Sequence, residues 1–439
     1  MQNLYQEVNT LDHRAVEKFA LSEAIMMEHA ALSMAQWIQA RFERNTSILI
    51  VCGSGNNGAD GRILARQLEG DYRISFDHQS DLHYDVIVDA LFGSGLNRPL
   101  DSATRALLDI LNASDAFKIA CDVPTGLFAD GTLDPHAFKA DLTITMGALK
   151  RSLFSDTAKE YVGKIHVANL GISRSRYEIP SPWQLLDPSD LSLPMRTQTS
   201  THKGSYGHLA LVCGEKIGAS VIAGSAALRF GTGLVTLLSN ENVHIPYDLM
   251  QSHSLPSTST AIALGMGLGS EFCDDELTCL LDNTLPLVLD ADIFYHPMFL
   301  KLLHRGGVVL TPHPKEFTQI LRICGIADIT IQTLQNDRFR YVEQFCTAFP
   351  NAILLLKGAN VIIGQYERYF INPHGTAALA KGGSGDVLSG LIGALLAQGY
   401  TPLDAALQSS LAHTLAAQKF DKNNYALTPF DLIERISAL

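Results

Sequence analysis

The chain has 439 residues and a mass of 47.8 kDa, which corresponds to roughly three domains of about 150 residues or to two larger α/β domains. Hydrophobic residues make up 46% of the sequence and charged residues 18%, against about 25% charged residues in an average soluble protein. This composition excludes a disordered or fibrous chain. The formal charge of -12 gives no general attraction for nucleic acid or an anionic membrane, and we expect neither as a partner.

The seven cysteines are scattered and form no CxxC pair, a usage typical of buried thiols in a reducing compartment. The N-terminus has no basic segment followed by an apolar one. No apolar run reaches the roughly 18 residues that a membrane span needs. We therefore expect a cytoplasmic protein.

Short apolar runs alternate with helical patterns in the first part of the chain. A helical pattern over residues 11–42 precedes the first run, and helical stretches at Gly61–Leu68 and Ser102–Leu111 separate later ones. The apolar runs are residues 47–51, 85–90, 118–121 and 141–146. Strands that alternate with helices predict a mainly parallel sheet.

Residues 173–201 interrupt this alternation and are rich in Ser, Pro, Asp and Thr, which predicts a connection between domains. We assign residues 176–200 to this linker. Apolar runs resume at residues 208–213, 234–238, 261–264, 286–289, 307–310 and 352–356. The second half is therefore predicted to be another α/β domain.

The first predicted strand runs into a glycine-rich loop, Gly53-Ser54-Gly55-Asn56-Asn57-Gly58-Ala59-Asp60-Gly61. Its G-x-G-x-x-G spacing permits a tight turn and brings the backbone close to an anion at the next helix N-terminus, although a purely structural turn can have the same spacing. The two asparagines and the aspartate add oxygen ligands suited to a hard cation or a polyhydroxyl substrate.

Two further predicted strands end in aspartate and are followed by glycine. Asp89 opens into the segment Ala90-Leu91-Phe92-Gly93-Ser94-Gly95-Leu96-Asn97-Arg98-Pro99, and Asp122 begins Asp122-Val123-Pro124-Thr125-Gly126. An aspartate in this position often only caps the next helix. Because ligands bind at the carboxyl edge of a parallel sheet, the three loops together predict a binding site.

These three segments, in this order, resemble the YjeF N-terminal family, the NAD(P)HX epimerases, over residues 1–175. The resemblance implies a Rossmann-like three-layer α/β/α domain that acts on hydrated NADH or NADPH. The residues implied to cradle this substrate are Asn56, Asn57, Gly58, Ala59, Asp60, Gly93, Ser94, Gly95, Leu96, Asn97, Arg98 and Pro99. It also implies that Asp122 is catalytic at the reacting end of the substrate. Potassium would be ligated by Asn57, Asp89 and Thr125.

A second glycine-rich loop, Gly382-Gly383-Ser384-Gly385-Asp386, precedes the apolar segment Val387–Ala397. Backbone N–H groups and a carboxylate at a helix N-terminus form an anion site with a built-in acid or base. Asp386 as a simple helix cap is the alternative. No G-x-x-x-x-G-K-[ST] string occurs, which excludes a P-loop phosphotransferase.

With five other segments, at residues 203–208, 265–269, 289–292, 311–317 and 357–360, this loop is similar to the YjeF C-terminal family, the ADP-dependent NAD(P)HX dehydratases, over residues 184–439. The resemblance implies a ribokinase-like α/β domain with ADP or ATP as co-substrate, and we expect magnesium with it. Nucleotide binding is implied for Lys357, Gly358, Ala359, Asn360, Val361 and Gly385. Substrate contacts are implied for Ala219, Gly267, His313 and Asp386. Lys381 replaces a usual threonine and leaves the nucleotide preference open.

We therefore expect a bifunctional repair enzyme. The first domain would epimerise the R and S forms of the hydrated cofactor. The second would phosphorylate the ring hydroxyl with Asp386 as base, after which loss of phosphate restores NAD(P)H. Alternatives are a Rossmann oxidoreductase fused to a ribokinase-type kinase, with Asp77 as its only ribose ligand, or a non-catalytic N-terminal binding module. We also expect a homo-oligomer.

Overall fold

The computed structural model describes residues 1–79, 82–241, 243–269, 277–278 and 282–439. The chain divides into two compact units. The N-terminal unit comprises Gln2–Gln184 with Gln335–Asp337, and the C-terminal unit comprises Leu185–Leu334 and Arg338–Leu439 with Met1. Both are built from a sheet and helices, which confirms the predicted α/β fold class.

Six strands form the parallel sheet of the N-terminal unit in the described part of the chain, in the order β3-β2-β4-β5-β6-β7. The strands up to residue 168 are β1 Gln2–Leu4, β2 Ser47–Cys52, β3 Arg73–Ser75, β4 Val86–Ala90, β5 Phe117–Cys121, β6 Leu142–Met146 and β7 Lys164–Ala168. The helices are α1 Asn9–Phe19, α2 Glu23–Gln39, α3 Asn56–Leu68, α4 Ser102–Ala113 and α5 Arg174–Tyr177.

Helices cover both faces of this sheet. In β2, Ile48 and Ile50 pack in a cluster with residues of α2 and α3. The alternate residues Leu49 and Val51 pack in a second cluster with residues of α4. Burial on both faces explains why β2 is a continuous apolar run rather than an alternating one. The register pairs Asp89 with both Val51 and Ala120, so β2, β4 and β5 end at the same edge.

The sheet of the C-terminal unit contains β17-β16-β15-β14-β13-β12-β9-β10-β11 in this order. Neighbours from β15 to β11 are parallel, whereas β16 and β17 are antiparallel. The strands from residue 183 onward are β8 Trp183–Leu185, β9 His208–Val212, β10 Leu234–Leu238, β11 Met250–Ser252, β12 Ala261–Leu264, β13 Leu287–Leu289, β14 Val308–Leu310, β15 Ala352–Leu356, β16 Val361–Gln365 and β17 Arg368–Asn372. The described helices are α6 Ile217–Arg229, α7 Phe299–Leu303, α8 Pro314–Ile323, α9 Ile331–Asn336, α10 Arg338–Ala348, α11 Ser384–Ala397, α12 Pro402–Gln418 and α13 Pro429–Ile436.

Helix α11 lies at the centre of the C-terminal unit. All its residues from Val387 to Ala397 are buried, as expected for a helix that is apolar on every side. A Cβ at Gly390 would lie 2.1 Å from the carbonyl oxygen of Ala223 in α6, so only glycine allows these two helices to approach so closely. This packing fixes the position of the α11 N-terminus.

The segment predicted as a linker contains α5, β8 and a 3₁₀ turn at Pro188–Asp190. Elements of three or four residues are too short to produce a periodic pattern, which is why the sequence did not indicate them. Among the described residues, no helix combines the length and the apolar character that crossing a membrane requires.

Candidate functional site

A cavity of about 500 Å³ lies in the N-terminal unit, lined by the loops that follow β2, β4 and β5 and by residues of α1 and α2. The predicted substrate residues that line it are Asn56, Asn57, Asp60, Gly93, Ser94, Gly95, Leu96, Asn97, Arg98 and Asp122. Gly58, Ala59 and Pro99 from the same predicted set do not line it. Asp77, the ribose ligand required by the oxidoreductase alternative, does not line it either.

The first glycine-rich loop folds tightly at the start of α3. A Cβ at Gly58 would lie 1.9 Å from the carbonyl oxygen of Gly53, so this position cannot hold a larger residue without displacing the loop. The Asn56 side chain donates to Glu23 Oε1 over 2.8 Å. The loop therefore brings the N-terminal end of α3, whose N–H groups favour an anion, to the cavity.

Asp122 lies at the end of β5 with a left-handed backbone, φ 70°, a conformation that costs a non-glycine residue about 1–3 kcal/mol and is concentrated at functional sites. Its carboxylate accepts from the N–H groups of Ser94 at 3.1 Å and Met146 at 3.2 Å. Burial raises the pKa of this carboxyl, but Lys150, whose Nζ lies 2.5 Å from Oδ1, and the two N–H donors together outweigh burial and lower the pKa below its ordinary value. Asp122 is therefore ionised at neutral pH.

Lys150 was not identified from the sequence. Its side chain is fully buried, and Nζ also donates to Thr145 Oγ1 at 3.1 Å and to the Met146 carbonyl at 3.2 Å. The only sequence signal is a lysine that ends the otherwise apolar segment Met146-Gly147-Ala148-Leu149. A lysine buried in this way needs an ionic partner, and Asp122 provides it.

Three more carboxylates, Asp60, Asp12 and Glu23, face the same cavity. Asp60 is 7% exposed, and its Oδ1 has no hydrogen-bond partner in the described part of the chain. Burial, and then the negative charge of Asp122, raise the pKa of Asp60 to about 7. Asp12, which the sequence analysis missed, accepts from the Tyr177 hydroxyl at 2.6 Å, and burial raises its pKa. The cavity thus combines one strongly ionised carboxylate with others that hold protons more readily.

The structure brings together two of the three predicted potassium ligands. Asp89 is fully buried and accepts from the Thr125 hydroxyl at 2.7 Å and the Thr125 N–H at 2.8 Å. Burial raises the pKa of Asp89 to about 6. Asn57 lies beside Gly93, with Oδ1 3.3 Å from where a Gly93 Cβ would be, and its buried Nδ2 has no described partner.

These residues fit an alkali cation. Asp89 forms no ion pair with any described residue, so its buried charge is balanced only by neutral donors. Carboxylate, hydroxyl and amide oxygens are hard ligands of the kind that such a cation prefers.

In the C-terminal unit, three elements bring charged groups to the second glycine-rich loop. Lys357, after β15, donates to Asp290 Oδ1 at 2.9 Å and lies 3.9 Å from Glu316 Oε2. Asp290, after β13, also accepts from Ser389 of α11 at 2.7 Å. A Cβ at Gly385 would lie 3.5 Å from Lys357 Nζ. The predicted nucleotide residues Lys357 and Gly385 are therefore neighbours.

The charged groups around this loop shift the pKa values of Asp386 and Lys357. Burial, and then the charge of Asp290, raise the pKa of Asp386 to about 6. Burial opposes the charge on Lys357, but Asp290 and Glu316 outweigh burial and raise its pKa. Asp290 and Glu316 lie in segments that the sequence indicated, but neither had been assigned a role.

His313 is the N-cap of α8. Its Nδ1 accepts from the Glu316 N–H at 3.2 Å, and its own N–H donates to Glu316 Oε2 at 2.7 Å. His313 is therefore held next to the acid that approaches Lys357. Lys381, by contrast, donates to the carbonyl oxygen of Tyr425 at 2.8 Å, which directs its charge to that carbonyl.

Ala219 and Gly267 are neighbours, because a Cβ at Gly267 would lie 3.1 Å from that of Ala219. Ala219 lies in α6 and Asp386 in α11, and these two helices pack against each other. Gly358, Ala359 and Asn360 form the connection between β15 and β16, and Val361 begins β16.

Comparison with known proteins identifies relatives of both units. The family model described as NAD(P)H-hydrate dehydratase matches residues 209–438, and that described as YjeF-related protein N-terminus matches residues 23–81 and 71–152. The bifunctional NAD(P)H-hydrate repair enzyme of Helicobacter pylori is 41% identical over 100% of both chains. The enzyme of the same name from Escherichia coli is 30% identical over 97% of this chain and 92% of its own.

A solved structure also matches. The ADP/ATP-dependent NAD(P)H-hydrate dehydratase from Bacillus subtilis, co-crystallised with ATP and Mg²⁺, is 28% identical, with a TM-score of 0.48 over 56% of this chain and 92% of its own.

Proposed function

Because the chain belongs to the family of bifunctional NAD(P)H-hydrate repair enzymes, we propose that its N-terminal unit epimerises hydrated NADH and NADPH and that its C-terminal unit dehydrates the S form with ADP or ATP. The observation that carries this proposal is the presence of one acid beside a glycine-containing loop in each unit. Asp122 lies ionised in a cavity of about 500 Å³, and Asp386 lies in the first turn of α11.

In the N-terminal unit, the glycine-containing loops that follow β2 and β4 hold the substrate. Asp122 faces the reacting carbon of that substrate. The N–H groups at the start of α3 suit the pyrophosphate of a dinucleotide. Asp122 is suited to remove a proton because Lys150 keeps it ionised. The ring carbon that carries the added hydroxyl, carbon six, is the centre that is inverted.

Potassium is part of this proposal. Asn57, Asp89 and Thr125 would hold the ion, which would supply the positive charge that the buried Asp89 lacks among its described partners. Leu91 and Phe92 donate their N–H groups to Asp89 and Thr125 respectively. The side chains of Asp89 and Thr125 therefore fix the start of the loop that follows β4. The charge on Asp89 therefore affects how that loop meets the substrate.

In the C-terminal unit, the ring hydroxyl of the S form attacks the terminal phosphorus of ADP or ATP. The new oxygen–phosphorus bond forms as the bond from phosphorus to the nucleotide oxygen breaks, and the hydroxyl proton passes to Asp386. Phosphate then leaves carbon six, and a proton leaves the adjacent carbon, which restores the ring double bond. The α11 N-terminus and Lys357 stabilise the negative charge on the phosphoryl group during transfer.

Magnesium would bind with the nucleotide. The described residues contain no group of three or more His, Cys, Asp or Glu side chains arranged for a metal. Proteins often hold this ion through one or two carboxylates together with the substrate phosphates, and Asp290 lies beside Lys357 to provide one. The homo-oligomeric state and the cytoplasmic location stay predictions.

The deciding experiment mixes the purified protein with hydrated NADH and follows the recovery of the reduced-nicotinamide absorbance with ADP, with ATP and without nucleotide. We expect recovery only when a nucleotide is present. If neither ADP nor ATP gives any recovery of the absorbance, the dehydratase assignment is refuted. For the epimerase, mainly the R epimer is supplied, and its consumption must exceed the spontaneous rate.

A further inference from the structure

Two of the carboxylates that line the cavity of the N-terminal unit, Asp122 and Asp60, have opposite electrostatic surroundings. Asp122 contacts the ammonium of Lys150 at 2.5 Å and two backbone N–H groups. Asp60 has a buried oxygen that no described donor satisfies. Both line the cavity. When two acids in one site have such different environments, one is suited to be the base and the other the acid.

Inversion at carbon six requires both functions. This carbon bears the hydroxyl and is bonded to the ring nitrogen, so its hydroxyl can leave only if the oxygen is protonated. A water molecule that adds from the opposite face must lose a proton. A single carboxylate on one face of the ring is poorly placed to do both.

We propose that Asp60 is the proton donor of the epimerase and that Asp122, held ionised by Lys150, is the base on the other side of the reaction. This inference rests on the proposed epimerase function and adds which carboxylate donates a proton and which accepts one. It assigns to Asp60 a catalytic role, where the family resemblance implies only contact with the substrate.

The hydroxyl oxygen on carbon six takes the proton of Asp60 and leaves as water, while the lone pair of the ring nitrogen forms a double bond to that carbon. Water then attacks the other face and gives a proton to Asp122 as the nitrogen recovers its electron pair. One proton has moved from Asp60 to Asp122, and its return through solvent resets the site.

The charged groups around Asp60 support this assignment. Asp122, Glu23 and Asp12 are acidic and favour a protonated Asp60, and Lys150 is the basic group that opposes them. The pKa of Asp60, about 7, lies where a donor is still protonated at neutral pH and can also be regenerated. The carboxylates around it thus prepare a proton for the leaving hydroxyl.

The test compares the wild-type protein with Asp60→Asn and Asp60→Glu, supplied with mainly the R epimer. Asp60→Asn should lower the epimerisation kcat by about 100- to 10,000-fold, while the dissociation constant for the hydrated cofactor changes little because asparagine keeps the shape and polarity. The wild-type rate should fall about tenfold per pH unit above the Asp60 pKa, and Asp60→Asn should lack this decline. Asp60→Glu, which retains a carboxyl, should restore the decline and part of the rate.

Dehydration of the S epimer by the same preparation is the internal control, and it should be unchanged in both variants. If the wild type does not exceed the spontaneous rate, the proposed epimerase fails and this inference fails with it. If the wild type turns over and folded Asp60→Asn matches it, only the role of Asp60 is overturned. Should Asp60→Asn not fold, the wild-type profile decides, because a rate that stays level across the Asp60 pKa of about 7 overturns the proposal.

Discussion

The ion pair between Lys150 and Asp122 gives a prediction that joins stability to catalysis. Lys150→Met removes the ammonium and leaves a side chain of similar length in the same fully buried place. Asp122 would then be a buried carboxylate without a cation, and loss of one partner from a buried pair costs about 3–5 kcal/mol. We expect a destabilisation of this size near neutral pH, together with a large loss of epimerisation.

The pH dependence of stability should also change sign. In the wild type the pKa of Asp122 lies below its ordinary 3.8, so the pair stabilises the protein above that pH, and the contribution is lost as pH falls through the folded-state pKa. Without Lys150, burial dominates and raises the pKa. The variant should then lose stability as pH rises from about 3.8 toward the raised value.

Hydrogen exchange of the β5 and β6 amides measures this locally, because it reports the opening free energy of the strands that carry the pair. The double variant Lys150→Met/Asp122→Asn is the matched control. It removes both charges and should be more stable than Lys150→Met alone at neutral pH. A single-variant loss below about 1 kcal/mol, the level of an exposed pair, would refute the reasoning.

Three further predictions concern the other groups. Asp386→Asn should slow dehydration by about 100- to 10,000-fold and leave epimerisation intact; in the wild type, dehydration should decline as pH falls below about 6, where Asp386 takes up a proton. Epimerisation should be faster in potassium chloride than in tetramethylammonium chloride. Asp89→Asn should abolish this difference, whereas Thr125→Ser, which keeps the hydroxyl, should retain it. Equal potassium responses in the wild type and both variants would contradict the proposed site. Lys357→Ala should raise the dissociation constant for ADP at least tenfold in calorimetry, and Lys381→Ala should not, because the Lys381 ammonium is directed at the Tyr425 carbonyl; equal losses in both would contradict this assignment.

The long buried strands were predictable because their physical cause is local. β2 and β4 are buried on both faces, so each is an almost continuous run of apolar residues. β3 and β11 have three residues each, and no pattern can develop over so short a length. Their position depends on the strand beside them, which a periodicity analysis does not include.

The site residues divide in a similar way. Asp89 and Asp122 lie at the ends of strands, ahead of glycine-containing loops, so their position marks them. Lys150 carries no comparable mark, because its importance comes from a contact made across 28 residues of sequence with Asp122. The same holds for Asp290, which meets Lys357 only after the sheet has formed. Partners of buried charges depend on tertiary structure, and the sequence shows only one member of each pair.

The left-handed backbone of Asp122 has a consequence for how this protein can change over evolutionary time. A φ of 70° is tolerated by glycine and, at a smaller penalty than for other side chains, by asparagine and aspartate. The substitutions that the backbone accepts most easily at this position therefore remove the base, and each leaves the buried Lys150 ammonium without its carboxylate. A single nucleotide change converts an aspartate codon into one for asparagine or glycine, so we expect descendants that lost the base and kept the shape of the N-terminal unit to have replaced Lys150 as well.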